Sequence, residues 1–240
     1  MKLNLPVDLI AISTNKALET VKAIEFTKKN INFKNVFLFT SEIINGDFNT
    51  IKIPKFKDIV EYNNFTLNLN DYVMSDFALL IQHDGHIVNY RNWDNSFLEF
   101  DYIGAPWPLD DNWNKRWDLY PKELSNKIKE NLKKNRVGNG GFSLRSKKFL
   151  EYASSFERNF TKHGVPEDIY LNIYNYEKAF DFGIKYPTVS KALEFSYETP
   201  LKGSNLSKVK KYHFFNKHKH LGWHGNKFLN SKKLDNLKFL

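Results

Sequence analysis

Residues 78–86 read Ala78-Leu79-Leu80-Ile81-Gln82-His83-Asp84-Gly85-His86. Four apolar residues run into a polar end, the pattern of a fully buried strand followed by a turn. Open α/β sheets bind ligands just beyond the carboxyl ends of such strands. At that end Asp84 offers carboxylate oxygens to a hard divalent cation, and His86, two residues on, adds an imidazole. Gly85 lets the backbone turn sharply and lets a bulky ligand approach. This strand end is therefore a candidate site for a metal ion and a nucleotide diphosphate. The plainer alternative is a strand closed by a polar turn, for which Asp-Gly is a common pair.

Toward the N-terminus, residues 7–13 (VDLIAIS) form an expected first buried strand. Residues 15–29 place Ala17, Val21, Ile24 and Phe26 among charges at near-helical spacing. Residues 35–40 (NVFLFT) predict a second buried strand and Thr50 to Ile53 a short third. A strand, helix, strand opening predicts a parallel sheet with right-handed crossovers. No glycine-rich phosphate loop of the dinucleotide or Walker pattern occurs, so a bound anion needs a metal or basic side chains. Residues 55–77 are mixed in pattern, with a helix expected from Leu67 to Met74 leading into the strand at 78–81.

Downstream, Ile87 to Tyr90 predicts a brief extension, Trp93 to Phe100 a short helix, and Tyr102 to Ala105 a buried strand ending in a turn at Pro106. Trp93 and Trp107 suit either the core or a platform for a sugar face, because an aromatic ring complements apolar C–H surface. Residues 108–120 are a candidate mobile loop over a site. Glu123 to Lys134 reads as a lysine-rich surface helix.

Residues 137–146 (VGNGGFSLRS) combine three glycines and an Asn with the alternation Phe142, Ser143, Leu144, Arg145. The alternation predicts a strand, and Ser146 a cap for a helix over 147–155. The glycines fit either a hairpin or bulge, or bare backbone against which a substrate lies. Val165-Pro166-Glu167-Asp168 is an ordinary helix start. It also suits the delivery of one carboxylate into a cleft as a general base. Residues 187–198 (PTVSKALEFSYE) predict a strand-containing piece that packs back on the sheet. From Lys202 on, the tail is rich in Lys and His with Asp235 as its only acid, and it contains Leu221-Gly222-Trp223-His224-Gly225. His224 is placed as a metal ligand or as a solvated histidine.

Composition bounds these readings. The chain has 240 residues, 41% of them hydrophobic and 16% aromatic, enough for one good-sized core. It has no Cys, which excludes a disulfide framework, a zinc–thiolate site and a thiol nucleophile, and fits a reducing, cytoplasmic compartment. The run Val7 to Ile12 is too short for a signal peptide or a membrane span. A formal charge of +9 favours anionic partners such as nucleotide phosphates, lipid head groups or nucleic acid, without choosing among them.

Taken together, Gln82-x-Asp84-Gly85, FDYIGAPW (100–107), VGNGGFSLRS (137–146), PED (166–168) and GWHG (222–225) resemble a largely uncharacterised glycosyltransferase family that carries a near-identical DYIGAPW and GNGGFSLRS pair. The resemblance spans residues 7–225. It implies an α/β, GT-A-like single domain over residues 1–200, with a mostly parallel central sheet flanked by helices. Its nucleotide-binding half would cover about residues 1–107 and its acceptor half about 108–200. Residues 201–240 would form a basic C-terminal segment that contributes a metal-ligand His.

The resemblance further implies a metal-dependent transfer of a sugar, inverting at the anomeric carbon, from a nucleotide-sugar donor (UDP-linked) to a glycan, lipid-linked or protein acceptor. Such a role belongs to polysaccharide biosynthesis. Asp84, His86 and His224 match metal positions, for Mn2+ or Mg2+. Gln82, Asp84, Trp107, Asn139, Gly140, Gly141 and Arg145 match substrate-binding positions. Glu167 and Asp168 match the acidic pair that supplies the catalytic base, with Asp168 the expected base. The location implied is cytoplasmic, with peripheral contact at an anionic inner membrane face.

The chemistry of these residue types agrees. A divalent ion offsets charge on a departing diphosphate, a carboxylate takes the proton of the attacking hydroxyl, and Arg145 and the tail lysines suit phosphates. Two rival classes remain at this stage. A metal-dependent phosphoesterase would want a denser acidic cluster for two metals. A non-catalytic carbohydrate- or nucleic-acid-binding module fits the aromatic content and basic tail, but no RNA-recognition or helix-turn-helix signature points to specific nucleic acid.

Overall fold

The apolar run that starts near Val7 becomes a buried strand with one ionisable residue in it. Asp8 is fully buried, and its carboxylate accepts four hydrogen bonds, from Met74 N (2.8 Å), Ser75 N (2.9 Å), Ser75 Oγ (2.7 Å) and Asn35 Nδ2 (2.8 Å). A buried carboxylate is tolerated only with such partners. Here they tie the first strand to its neighbour and to the turn ahead of the central strand.

The computed structural model describes residues 2–157, 164–199, 201 and 218–225. Its strands are β1 (Leu3–Ile12), β2 (Ile31–Thr40), β3 (Asn49–Lys52), β4 (Phe77–Ile81), β5 (Gly85–Ile87), β6 (Tyr102–Gly104), β7 (Phe142–Ser146), β8 (Ser196–Tyr197) and β9 (Gly222–His224). The α-helices are α1 (Ala17–Lys28), α2 (Ile59–Leu67), α3 (Asp111–Asn114), α4 (Lys122–Asn131), α5 (Lys147–Ser154), α6 (Glu167–Ile169), α7 (Tyr176–Asp181) and α8 (Val189–Phe195). A π-helical turn, Tyr170–Tyr174, continues α6.

The main sheet has the order β3-β2-β1-β4-β7-β6. β1, β2, β3 and β4 pair in parallel, whereas β7 runs antiparallel to both β4 and β6. The fold is therefore α/β, with one domain around a mostly parallel sheet flanked by helices, as the sequence predicts. Leu9, Ala11, Leu79, Ile81 and Leu144 point into one apolar cluster with Ile24 of α1, while Ile10, Leu80 and Ala78 point into another on the opposite face. Period-two alternation thus buries both faces. Each fully buried Leu or Ile contributes about 1.5–3 kcal/mol relative to exposure, which fixes the register of these strands.

A second, small sheet has the order β5-β9-β8. β5 and β9 pair antiparallel with Gly85 opposite His224 and His86 opposite Trp223, and β8 pairs parallel to β9 with Tyr197 beside Trp223.

Two expectations are corrected. The helix expected over Leu67 to Met74 begins earlier, as α2, and ends at Leu67, with one 3-10 turn, Leu69–Asp71, after it. The cause is Asp58, whose carboxylate accepts from both Val60 N (2.9 Å) and Glu61 N (3.0 Å) and starts the helix there. Residues 187–198 are mainly the helix α8, capped by Thr188 Oγ1, and only two residues form a strand. The cap at Ser146 is as expected: its Oγ accepts from Phe149 N at 3.0 Å.

Candidate active site

β1 connects toward β2 on one side, and β4 lies on its other side, so the crevice at the carboxyl ends of β1 and β4 is the switch point of the sheet. A cavity of about 400 Å³ opens there, lined by Ser13 to Lys16 after β1, by Phe56 to Ile59 and Tyr62 around the start of α2, and by Gln82 and His83 after β4. Gln82 is anchored in its wall: its Nε2 donates to Tyr62 Oη at 3.0 Å, and its backbone N–H to Gly141 O at 2.9 Å. Lys16 Nζ donates to His83 Nε2 at 2.9 Å and brings a cation to the rim.

Beside this cavity the small sheet assembles a second group. Asp84 is 6% exposed, and its Oδ1 lies 3.4 Å from His224 Nε2 and 3.5 Å from His83 Nδ1. The β5–β9 pairing produces this meeting, and Gly225 N donates to Asp84 O at 3.0 Å to close it. On the other side of the imidazole, Glu198, one residue past β8, places Oε1 3.4 Å from His224 Nδ1. Burial alone would neutralise His224, but the Asp84 and Glu198 carboxylates on its two nitrogens outweigh it and hold its pKa at about 10. Burial would likewise raise Asp84, yet His224 and His83 keep its pKa below the usual carboxylate value.

His86 is placed differently. It faces the same side of the small sheet as Trp223, opposite to His224, because neighbouring residues alternate faces. Its ring meets Phe26 of α1 edge-on, with centroids 4.8 Å apart, and burial pushes its pKa down to about 4. The structure therefore brings Asp84 and His224 together and leaves His86 on the other face.

The glycine stretch forms the floor between two acidic groups. A Cβ on Gly141 would lie 2.0 Å from His224 Nε2, so the imidazole sits directly on bare backbone. A Cβ on Gly140 would lie 3.0 Å from Asp168 Cβ and 3.1 Å from an Arg145 Nη2. Asn139 is buried and holds the turn, accepting from Gly141 N at 3.2 Å. Gly140 N donates to Asp168 Oδ2 at 2.8 Å. Gly140 and Gly141 thus have Asp168 on one side and the Asp84–His224 pair on the other.

The paired acids divide. Glu167 is buried, with Oε1 2.7 Å from Arg145 Nη2. Arg145 is 1% exposed, donates also to Ser143 Oγ (3.0 Å), and is occupied in neutralising Glu167 rather than facing the cavity. Asp168 stays half-buried; the protein packed around it, and then the Glu167 charge, push its pKa up to about 7. Trp107 is 4% exposed and packs with Trp113 and Trp117 in a core cluster. The segment 108–120 borders the cleft: the Tyr120 hydroxyl is raised by burial and by the Asp168 charge, and Glu198 is the foremost charge acting on Arg116.

Among the described residues, no group of three or more His, Asp or Glu side chains converges as a metal cluster. The pair Asp84 and His224 nevertheless fits two ligand positions of one hard cation. Their facing atoms are 3.4 Å apart, near the edge of about 3 Å expected between adjacent ligands at metal bonds of about 2.1 Å. Asp84 Oδ1 is moreover buried without a hydrogen bond. The remaining positions would fall to phosphate oxygens and water, as is usual for Mg2+ with nucleotide substrates.

Residues 46–219 match the family described as "Protein of unknown function (DUF5672)". The chain belongs to that family. No curated protein matches the DUF5672 chain in sequence. Solved structures similar to it include the mannosyltransferase PcManGT from Pyrobaculum calidifontis in complex with GDP-Man and Mn2+, at 10% identity and a TM-score of 0.40, covering 77% of this chain and 55% of that one. The galactosyltransferase LgtC in complex with donor and acceptor sugar analogues gives 10% identity and a TM-score of 0.47, covering 91% and 86%. The bifunctional IspDF from Campylobacter jejuni gives 13% and 0.39, covering 65% and 44%. The DUF5672 chain thus spans about half the length of PcManGT and less than half that of IspDF. Likeness at this level reaches no further than the general α/β layout.

Sequence reasoning missed Glu198, Tyr62, Lys16 and His83. Lys16 sits in a segment that reads only as helix, and Tyr62 in a stretch of mixed pattern. Glu198 follows a two-residue strand, which has no periodicity to read. His83 adjoins Asp84 and was the one with a signal.

Proposed function

We propose that this protein transfers a sugar from a nucleoside-diphosphate donor, UDP-linked, to a hydroxyl of a glycan, lipid-linked or protein acceptor, with inversion. One observation carries the reading: Gly140–Gly141, a strip of bare backbone beside the switch-point cavity, has an Asp168 carboxylate on one flank and the Asp84–His224 pair on the other. The nucleoside occupies the cavity between Lys16, Tyr62 and Gln82. The diphosphate extends toward Asp84 and His224, and the sugar lies between His224 and Asp168, the two side chains that the glycine backbone lets pack so closely. In this reading the nucleotide-binding half lies within about residues 1–107 and the acceptor half within about 108–200.

Asp84 and His224 hold Mn2+ or Mg2+, which supplies Lewis-acid stabilisation of the departing diphosphate. Because only neutral imidazole ligates, a bound cation would take the place of the His224 Nε2 proton that faces Asp84, with the Nδ1 proton remaining toward Glu198. Asp168 takes the proton of the attacking acceptor hydroxyl: its pKa near 7 is poised for a base at neutral pH, and it reaches the glycine floor that Glu167 does not. Its two backbone donors, Gly140 N and Ile169 N (2.8 Å each), fix its orientation.

The ten lysines and single acid of residues 202–240 account for the whole formal charge of +9, so the first 201 residues are balanced. We place this segment against an anionic membrane at the cytoplasmic face, near a lipid-linked acceptor. No helix among the described residues is long and apolar enough to cross a membrane.

Calorimetry of UDP with and without Mn2+ tests the donor site. Asp84→Ala is expected to lose the metal-dependent part of UDP binding, and Asp168→Asn to retain it while losing turnover. Metal-dependent UDP binding by Asp84→Ala at wild-type strength would refute the assignment.

A further inference from the structure

We propose that Glu198 is a positioning residue for metal binding: it accepts the Nδ1 proton of His224 and so presents a lone pair on Nε2 to the cation beside Asp84. This rests on the reading that Asp84 and His224 hold that cation. A ligating imidazole generally donates its other N–H to a carboxylate or carbonyl, which fixes tautomer and ring orientation, and loss of that partner typically costs about 10- to 100-fold in metal affinity.

The geometry supplies each part of such an arrangement. Glu198 Oε1 and Asp84 Oδ1 lie 3.4 Å from the two opposite nitrogens of one ring. That ring has little freedom. Gly141 backbone lies beneath it, and the β9 backbone that carries it is paired with β5 on one side and β8 on the other. Glu198 itself is attached one residue beyond β8, so the register Tyr197–Trp223 delivers its carboxylate to the residue after Trp223. Both His224 Nδ1 and Glu198 Oε2 are enclosed without a hydrogen-bond partner, and Glu198 Oε1 approaches Nδ1 at 3.4 Å. A small closing movement completes the Nδ1–H···Oε1 bond, and a carboxylate is an acceptor-only group that can hold only the Nδ1–H tautomer. The small sheet therefore has a purpose beyond covering the core: its three strands bring the acid, the imidazole and the orienting acid into one line.

Glu198→Gln and Glu198→Ala separate this role from general support. Gln keeps the volume and a carbonyl acceptor but loses the charge, so a moderate loss is expected, and for Ala a loss of tenfold or more. The probe is Mn2+ itself, with free Mn2+ followed by electron paramagnetic resonance in the presence of saturating UDP. A second readout is the His224 tautomer, read from long-range 1H–15N spectra of the diamagnetic Mg2+–UDP complex. Wild type should be Nδ1–H, and the variants mixed. Thermal melting identifies folded variants, and if Glu198→Ala does not fold, Glu198→Gln decides. If folded Glu198 variants bind Mn2+ within twofold of wild type while Asp84→Ala does not bind it, the positioning role is wrong and the metal assignment stands. If Asp84→Ala also binds Mn2+ normally, the metal assignment itself fails, and Glu198 with it.

Discussion

A methyl group on Gly141 would fall 2.0 Å from His224 Nε2 and 2.4 Å from two ring carbons, so Gly141→Ala must displace the imidazole. The expected result is a metal-dependent UDP affinity at least tenfold weaker by calorimetry, with a stability loss of about 1–3 kcal/mol typical of overpacking. The acids at 167 and 168 should separate by assay. Glu167→Gln leaves the buried Arg145 charge without its 2.7 Å partner, and removing one member of a buried pair costs about 3–5 kcal/mol, so its melting temperature falls sharply. Asp168→Asn should melt normally and lose about a hundred- to ten-thousand-fold in turnover. A base must be deprotonated, so kcat/KM should rise as pH increases through about 7 and level off above it. Stability runs the other way: a carboxyl whose folded pKa is raised favours the fold while protonated, so its contribution declines as pH climbs from about 4 to 7. Adjacent positions on a helix point about 100° apart, which predicts that only one acid faces the cleft. Which one does so was not legible locally, because Arg145, 22 residues earlier in the chain, makes the choice by capturing Glu167.

At the level of elements, strong local signals were read correctly, the short strands β3 and β6 among them, but the small sheet was not. β1, α1, β2 and β4 carry apolar runs or helical spacing that survive any context, and Ser146 announces α5. Ser146 Oγ both caps α5 and donates to Asp101 Oδ1 at 2.8 Å, so Ser146→Ala should cost about 1–2 kcal/mol, measurable as a lower urea midpoint. The alternation in β7 predicts a strand, but the polar positions it marks are not solvent-facing. Ser143 and Arg145 are as buried as Phe142 and Leu144, because α6 packs an acid against them. The small sheet was invisible for a different reason. Strands of two or three residues show no period, and the β5–β9 pairing joins residues more than a hundred positions apart. That sheet nevertheless builds half of the candidate site. His224 was singled out from its Gly-Trp surroundings, but its partner Glu198 has no neighbour in sequence that marks it.

Over the whole molecule, the net charge is gathered in the C-terminal segment that also supplies His224. The first 201 residues carry no net charge and contain the cavity, the glycine floor and Asp168, while the +9 lies in residues 202–240 with Phe and Leu side chains interspersed. Basic residues near an anionic membrane contribute about 1 kcal/mol each, so reversing Lys232 and Lys233 to Glu should weaken binding to vesicles containing phosphatidylserine or phosphatidylglycerol at least tenfold. Raising salt should abolish most of the difference in a sedimentation assay. Unchanged binding in both tests would leave the segment a solubilising tail. The activity itself is tested most directly by incubating wild type and Asp84→Ala with a panel of UDP- and GDP-sugars, with Mn2+ or with chelator, and measuring release of the nucleoside diphosphate. The expected result is release from one donor or a few, only with metal and only by wild type. Equal release by Asp84→Ala, or no metal-dependent binding or release with any donor, would contradict glycosyl transfer at this site.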